Sequence, residues 1–166
     1  MESAARAVHD LLLAAGATIA VAESLTGGAF GAELTSVAGS SATFLGGITA
    51  YATAAKASLL GVDPGLLARH GAVHPEVAAA MARGVRERFG STYAVALTGV
   101  AGPDPQDGQP PGTVHLAFVG AGVERLLALT LAGGRQEVRR ETVRAALALV
   151  VRELGKSLDT DGKPEA

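Results

Sequence analysis

Ser24 stands in the turn Ala22-Glu23-Ser24-Leu25-Thr26-Gly27-Gly28, after the short apolar run Ala17-Thr18-Ile19-Ala20-Val21-Ala22 and before a helical pattern at 28–36. A hydroxyl at the carboxyl end of a buried strand occupies the place where open α/β sheets present their ligands. Thr26, Gly27 and Gly28 would let the backbone come close to a ligand and offer N–H groups to an anion or oxyanion. The same spacing serves equally well if Ser24 or Thr26 only caps the helix, since both are favoured N-cap residues. A second strand-like run, Tyr93-Ala94-Val95-Ala96-Leu97, ends in Thr98-Gly99-Val100-Ala101-Gly102-Pro103. Two Thr-Gly turns at strand ends suggest one shared crevice, and the proline-rich loop at 103–112 is expected to rim it.

Two further sets of residues could serve such a crevice. Lys56 lies among alanines in the helical segment 52–60, with Tyr51 just before it and Leu59 and Leu60 on its own face. A desolvated lysine has a lowered pKa and can act as base toward a serine, as in Ser-Lys variants of the catalytic triad. The alternative is a surface lysine whose stem lies along apolar neighbours. On a helical wheel from Arg135, Arg139 falls about 40° away, and Thr142, Ala146, Val150 and Glu153 lie near the same direction, while Arg140, Arg144 and Arg152 point elsewhere. Two arginines on the inward side of a helix's first turns oppose its dipole, and a phosphate would relieve that conflict. Pairing with Glu137 or Glu141 would do so as well.

Other chemistries are excluded or unsupported. The 166 residues contain no cysteine, which removes disulfides, thiolate metal sites and a cysteine nucleophile. The four histidines are scattered without metal-ligand spacing, no carboxylate cluster implies a bound metal, and His74 before Pro75 reads as a helix-cap residue. A formal net charge of -2 without a basic cluster argues against a nucleic-acid partner. The first residues lack a basic segment ahead of a long apolar run, and no run reaches the roughly 20 apolar residues of a membrane span, so a cytoplasmic protein is expected.

The elements that must position these residues follow from periodicity. Ala4, Val8, Leu11, Leu12 and Ala15 mark a first helix over 3–15, stopped by Gly16. Strand-like runs follow at 17–22, 44–51, 93–98, 113–119 and 123–131. Helical patterns occur at 28–36, 52–60, 75–88 and about 135–154. The alternation predicts a layered α/β fold, and Gly120-Ala121-Gly122 between the last two runs predicts a hairpin, hence a mixed sheet. One domain over 1–156 is expected, with a polar, disordered tail at 157–166.

Taken together, these blocks resemble the C-terminal domain of the CinA family, the nicotinamide-nucleotide amidase group, from about residue 5 to 150. The similarity is carried by the Ser24 turn, Ala38-Gly39-Ser40-Ser41, Gly46-Gly47 with Tyr51 and Lys56, Leu60-Gly61-Val62, Gly71-Ala72-Val73, Thr98-Gly99-Val100-Ala101-Gly102-Pro103, Pro111-Gly112-Thr113-Val114, and Gly134-Arg135 with Arg139. The resemblance implies a three-layer α/β/α sandwich with a mixed, mainly parallel sheet. It implies a metal-independent and cofactor-free serine amidase that converts nicotinamide mononucleotide to nicotinic acid mononucleotide and ammonia in pyridine-nucleotide recycling. Ser24 then matches the nucleophile, Lys56 its base and Tyr51 the associated hydroxyl. Thr26, Gly27, Gly28, Ser40, Thr98, Gly99 and Gly102 match the substrate pocket, and Arg135 and Arg139 match a basic motif to which we attach the phosphate. A homodimer or higher homo-oligomer is expected. His74 departs from the serine that often follows Gly-Ala-Val in the family, and the chain is expected to be a stand-alone form, without the molybdopterin-cofactor-like domain of larger members. The rival reading is a nucleotide- or partner-binding module without turnover, linked to competence and DNA-damage functions.

Overall fold

The computed structural model describes residues 1–120 and 122–161. Five strands form one mixed sheet: β1 (Ile19–Glu23), β2 (Phe44–Thr49), β3 (Tyr93–Gly99), β4 (Thr113–Gly120) and β5 (Val123–Thr130), in the order β2-β1-β3-β4-β5. β1 pairs in parallel with β2 and β3, whereas β3–β4 and β4–β5 are antiparallel, so β4 alone runs against the other four. The hairpin expected at the end of the sheet is the β4–β5 pair. Ala121, in its turn, lies outside the described residues.

Helices cover both faces, which gives the three layers expected. Ile19 and Val21 of β1, Val95 and Leu97 of β3, and Leu116 and Phe118 of β4 face a core closed by α1 (Glu2–Ala14), α2 (Ala29–Thr35) and α6 (Arg135–Asp161). The alternate residues Ala20, Ala22, Ala94, Ala96 and Ala117 face α3 (Thr53–Leu60), α4 (Pro64–His70) and α5 (Pro75–Phe89). Side chains of successive strand residues point to opposite faces, so a strand can be apolar on both sides yet bulky on only one. The alanine face lets α5 lie close to the sheet, with Val77, Ala78, Met81, Ala82 and Val85 buried in the contact.

Two boundaries differ from the sequence expectation. α4 is an additional helix: Asp63 caps it by accepting from the amides of Gly65 and Leu66, and Pro64 occupies its first turn. The last helix runs to Asp161 rather than about 154, because no proline interrupts 155–161 and Gly155 alone does not stop it. Of the polar tail expected at 157–166, residues 162–166 lie outside the described residues. Among the described residues no helix is long and apolar enough to cross a membrane.

Candidate active site

β1 is buried along its whole length and flanked on both sides by parallel strands, so it delivers Ser24 to the carboxyl end of the sheet. The Ser24 amide donates to the Leu97 carbonyl at 2.9 Å, fixing the turn against β3. Glu23, the one charged residue of the strand, is 2 % exposed and needs partners there. Its carboxylate accepts from the amides of Gly28, Phe30 and Gly31 at 3.1, 3.1 and 2.8 Å. These are donors that the first turn of α2 would otherwise leave without an acceptor. Sequence reasoning passed over Glu23, although a lone acid in an apolar run just before two glycines was the available signal.

Glu23 also corrects an expectation. The N–H groups around Gly27 and Gly28 were expected to receive an anion, but Gly28 donates to Glu23 and Gly27 donates to the Ser24 carbonyl at 3.1 Å. The amides of Leu25 and Ala101, both of which line the cavity described below, have no acceptor among the described residues. Either could donate to an anionic oxygen in the cavity.

Lys56 is 1 % exposed, not a surface lysine. α3 brings its amine to the end of β1, where Nζ donates to Ser24 Oγ at 2.9 Å, to the Ala50 carbonyl at 2.8 Å and to the Tyr51 carbonyl at 3.4 Å. An ammonium has three N–H donors and here finds three acceptors. Once neutral, the amine keeps two donors for the carbonyls and turns a lone pair toward Ser24. Burial disfavours the charged form and lowers the Lys56 pKa to about 8, against a smaller opposing pull from the Asp107 carboxylate. An amine in this state can accept a proton from a neighbouring hydroxyl at mildly alkaline pH.

In front of Ser24 is a cavity of about 100 Å³, walled by Leu25, Tyr51, Gly99, Val100, Ala101, Gly102 and Arg135, with Asp104 and Gln106 from the 103–112 loop. The serine turn and the second Thr-Gly turn thus meet at one cavity that the loop rims, but the first turn contributes Ser24 and Leu25, and Thr26, Gly27 and Gly28 do not line it. Thr26 and Thr98 play other parts. Thr98 is buried, and its hydroxyl donates to the Ala72 carbonyl at 2.7 Å, while the Thr26 hydroxyl is buried without a partner among the described residues.

Tyr51 is 58 % exposed, and its hydroxyl accepts from Arg135 at 2.8 Å, so the position expected for a hydroxyl beside the serine and lysine is not where it points. Arg135 also donates to the Gly102 carbonyl at 2.9 Å, which ties α6 to the cavity rim. Arg139 donates to the carbonyls of Leu25 and Thr26 at 3.0 and 2.9 Å and thereby braces the serine turn. Backbone carbonyls, not Glu137 or Glu141, answer the charge of both arginines. Glu141 pairs instead with Arg140 and Arg144. The inward side of α6 is otherwise the one its helical wheel predicts, with Thr142, Ala146, Val150 and Glu153 all buried.

Ser40 does not belong to this cavity. It begins the 3-10 turn Ser40–Ala42 that feeds β2, and because β2 runs parallel to β1 this turn lies at the opposite, amino end of the strands. There Thr43 is hydrogen-bonded to the buried His9 at 2.9 Å. His74 heads α5, its ring nitrogen accepting from the Glu76 amide at 3.3 Å, as expected of a cap residue.

The model of the CinA C-terminal domain family matches residues 1–154. A CinA-like protein of Frankia casuarinae is 52% identical over 147 residues, covering 89% of this chain and 34% of the relative. A putative competence-damage inducible protein of Halalkalibacterium halodurans is 45% identical over 130 residues, covering 78% of this chain and 31% of the relative. The chain spans about a third of the length of these curated relatives. Among solved structures, the competence damage-inducible protein A of Klebsiella pneumoniae superposes with a TM-score of 0.90 at 32% identity, covering 93% of this chain and 96% of that one. A competence/damage inducible protein of Agrobacterium tumefaciens gives 0.88 at 37% identity, covering 93% and 94%. The chain belongs to the CinA C-terminal domain family.

Proposed function

We propose that this domain is a serine amidase that hydrolyses the carboxamide of nicotinamide mononucleotide to nicotinic acid mononucleotide and ammonia. The observation that carries the reading is the buried Lys56 amine 2.9 Å from the Ser24 hydroxyl, facing a cavity that Arg135 borders. Neutral Lys56 takes the Ser24 proton as the oxygen attacks the amide carbon. The Leu25 and Ala101 amides receive the charge that develops on the carbonyl oxygen. Protonated Lys56 then gives its proton to the leaving nitrogen, releasing ammonia and an ester on Ser24. Water, deprotonated by the same amine, cleaves that ester and frees the acid. Tyr51 is not in this proton path; it borders the cavity and orients Arg135.

The cavity is smaller than the roughly 300 Å³ of a typical ligand pocket, and so suits the pyridine carboxamide with the ribose phosphate lying outward along α6. Arg135 is the exposed cation in that direction and takes the phosphate in this reading. Replacing it with alanine removes one charge-assisted interaction of about 1.5–3 kcal/mol, so KM for the mononucleotide rises about tenfold or more while KM for the dephosphorylated riboside moves little. Steady-state kinetics on the two substrates check this.

The base must be neutral to act, so kcat/KM rises with pH and levels off above about 8. A profile from about pH 6 to about pH 10 measures it, and a limb near the ordinary lysine value would contradict the burial argument. A binding module without turnover would share the cavity but release no product. Incubation with the mononucleotide and its riboside, a chelator present, separates the two readings: phosphate-dependent, chelator-resistant ammonia release supports the amidase, and ligand-induced stabilisation without ammonia refutes it.

A further inference from the structure

The outer wall of the cavity is a loop whose tip is held down through the Asp107 side chain. Asp104 and Gln106 line the cavity, and Gln106 and Gln109 pair across the loop tip, placing Asp107 at the apex with φ +50°. That conformation is uncommon for a residue with a side chain, and Asp is among the few that enter it. The Asp107 carboxylate accepts from the Ala72 amide at 2.7 Å, with the Gln106 amide nitrogen 3.5 Å away. The other side of the same peptide segment is held by Thr98, whose hydroxyl donates to the Ala72 carbonyl. Gly71 makes the approach possible, since a Cβ there would stand 2.4 Å from the Asp107 Cβ. The contact joins residues 35 apart in sequence, from the α4–α5 linker to the cavity loop.

We propose that Asp107 is a positioning residue of this site, latching the cavity loop onto the Gly71-Ala72 linker and directing a fixed negative charge toward the Lys56 amine. The proposal rests on the reading of Lys56 as the base. Asp107 attracts the protonated amine and opposes part of the effect of burial. The other ionisable groups around the cavity are Asp104, Tyr51 and Arg135. Behind Ser24 stands Glu23, whose oxygens are held by the α2 amides, and His74 and His115 lie at the start of α5 and on β4 beside Thr98. α5 buries only apolar side chains in its contacts. Among these acids Asp107 is the one whose charge acts on Lys56, and its own hydrogen bonds are to the Ala72 amide and the Gln106 side chain.

Asp107→Asn keeps an oxygen for the Ala72 amide and tolerates the positive φ, but loses the charge; Asp107→Leu loses both. The Lys56 side chain is followed by NMR on lysine-labelled protein, with its resonance assigned by its absence from Lys56→Met. The expected result is a titration midpoint below that of the wild type in both variants, with the limb of kcat/KM moving by the same amount. Amide hydrogen exchange in the 103–112 loop rises about tenfold or more in Asp107→Leu and stays near wild type in Asp107→Asn. A midpoint unchanged in Asp107→Asn, or a loop that exchanges no faster in Asp107→Leu, overturns the proposal. The NMR and exchange results do not depend on turnover, so a protein that gives them and yet releases no ammonia refutes the amidase reading alone.

Discussion

Lys56→Met is expected to abolish ammonia release while leaving a folded protein. Removing a positioned general base typically costs about 10²- to 10⁴-fold, and Ser24 has no other base within hydrogen-bond distance among the described residues, so kcat should fall toward the upper end of that range. The same variant reads the lysine's cost to the fold. The folded pKa of Lys56, about 8, lies below its ordinary value of 10.5, so between those pH values the unfolded chain binds the proton and the folded one does not. Stability of the wild type therefore rises with pH through that window, relative to Lys56→Met, and the gap is constant below it. The total change is roughly 3 kcal/mol, from the difference between the two pKa values at 1.36 kcal/mol each unit. Denaturant titrations of both proteins from about pH 7 to about pH 10.5 measure it, and a gap that does not change with pH would mean that Lys56 is solvated.

Gly84→Ala is expected to damage the fold and the site together. Gly84 lies in α5 where it crosses the end of α3, and a Cβ there would stand 1.8 Å from the carbonyl oxygen of Leu60. An exposed helical glycine replaced by alanine would gain about 1 kcal/mol from propensity. Here the obstacle is backbone, which cannot swing aside, and relieving it means moving α3 away from α5. Overpacking of this kind costs about 1–3 kcal/mol, so against the propensity gain a net loss near 2 kcal/mol is expected, or a fall in Tm of about 4–8 °C. Because α3 carries Lys56, the displacement also lengthens the contact with Ser24. A scanning-calorimetry Tm equal to wild type would show that the helices are not so closely packed.

These two variants mark what the sequence made legible and what it did not. The strand before Ser24, the helix after it and the second Thr-Gly turn could be read from runs and punctuation, since period and glycine placement are local signals. The inward side of α6 could be read from its wheel, which put Thr142, Ala146 and Val150 in the core. Lys56 could not be decided by its neighbours alone, because an alanine-rich helix is as compatible with solvent as with burial. Its fate depends on α3 docking against α5 through Gly84, a contact between residues far apart in sequence. Ser40 was misplaced for a related reason. Its glycine-serine segment reads as a turn in either orientation, and only the parallel pairing of β2 with β1 puts it at the wrong end of the sheet. From the sequence, the hydroxyl of Tyr51 is assigned to the reacting pair and the guanidinium of Arg139 to a phosphate, whereas tertiary contacts turn the first to Arg135 and the second to the turn carbonyls. α4 carries a local signal in Asp63-Pro64, a cap followed by proline, but its 7 residues are too few to show a helical period.

The relation between Ser24 and the carboxamide is the centre of the account, and ammonia release from nicotinamide mononucleotide by wild type and Ser24→Ala, assayed side by side with a chelator present, tests it most directly. The account predicts steady release by the wild type and a loss of about 10³-fold or more in the variant, because among the described residues Lys56 has no second hydroxyl within hydrogen-bond distance. Undiminished release by Ser24→Ala would contradict it.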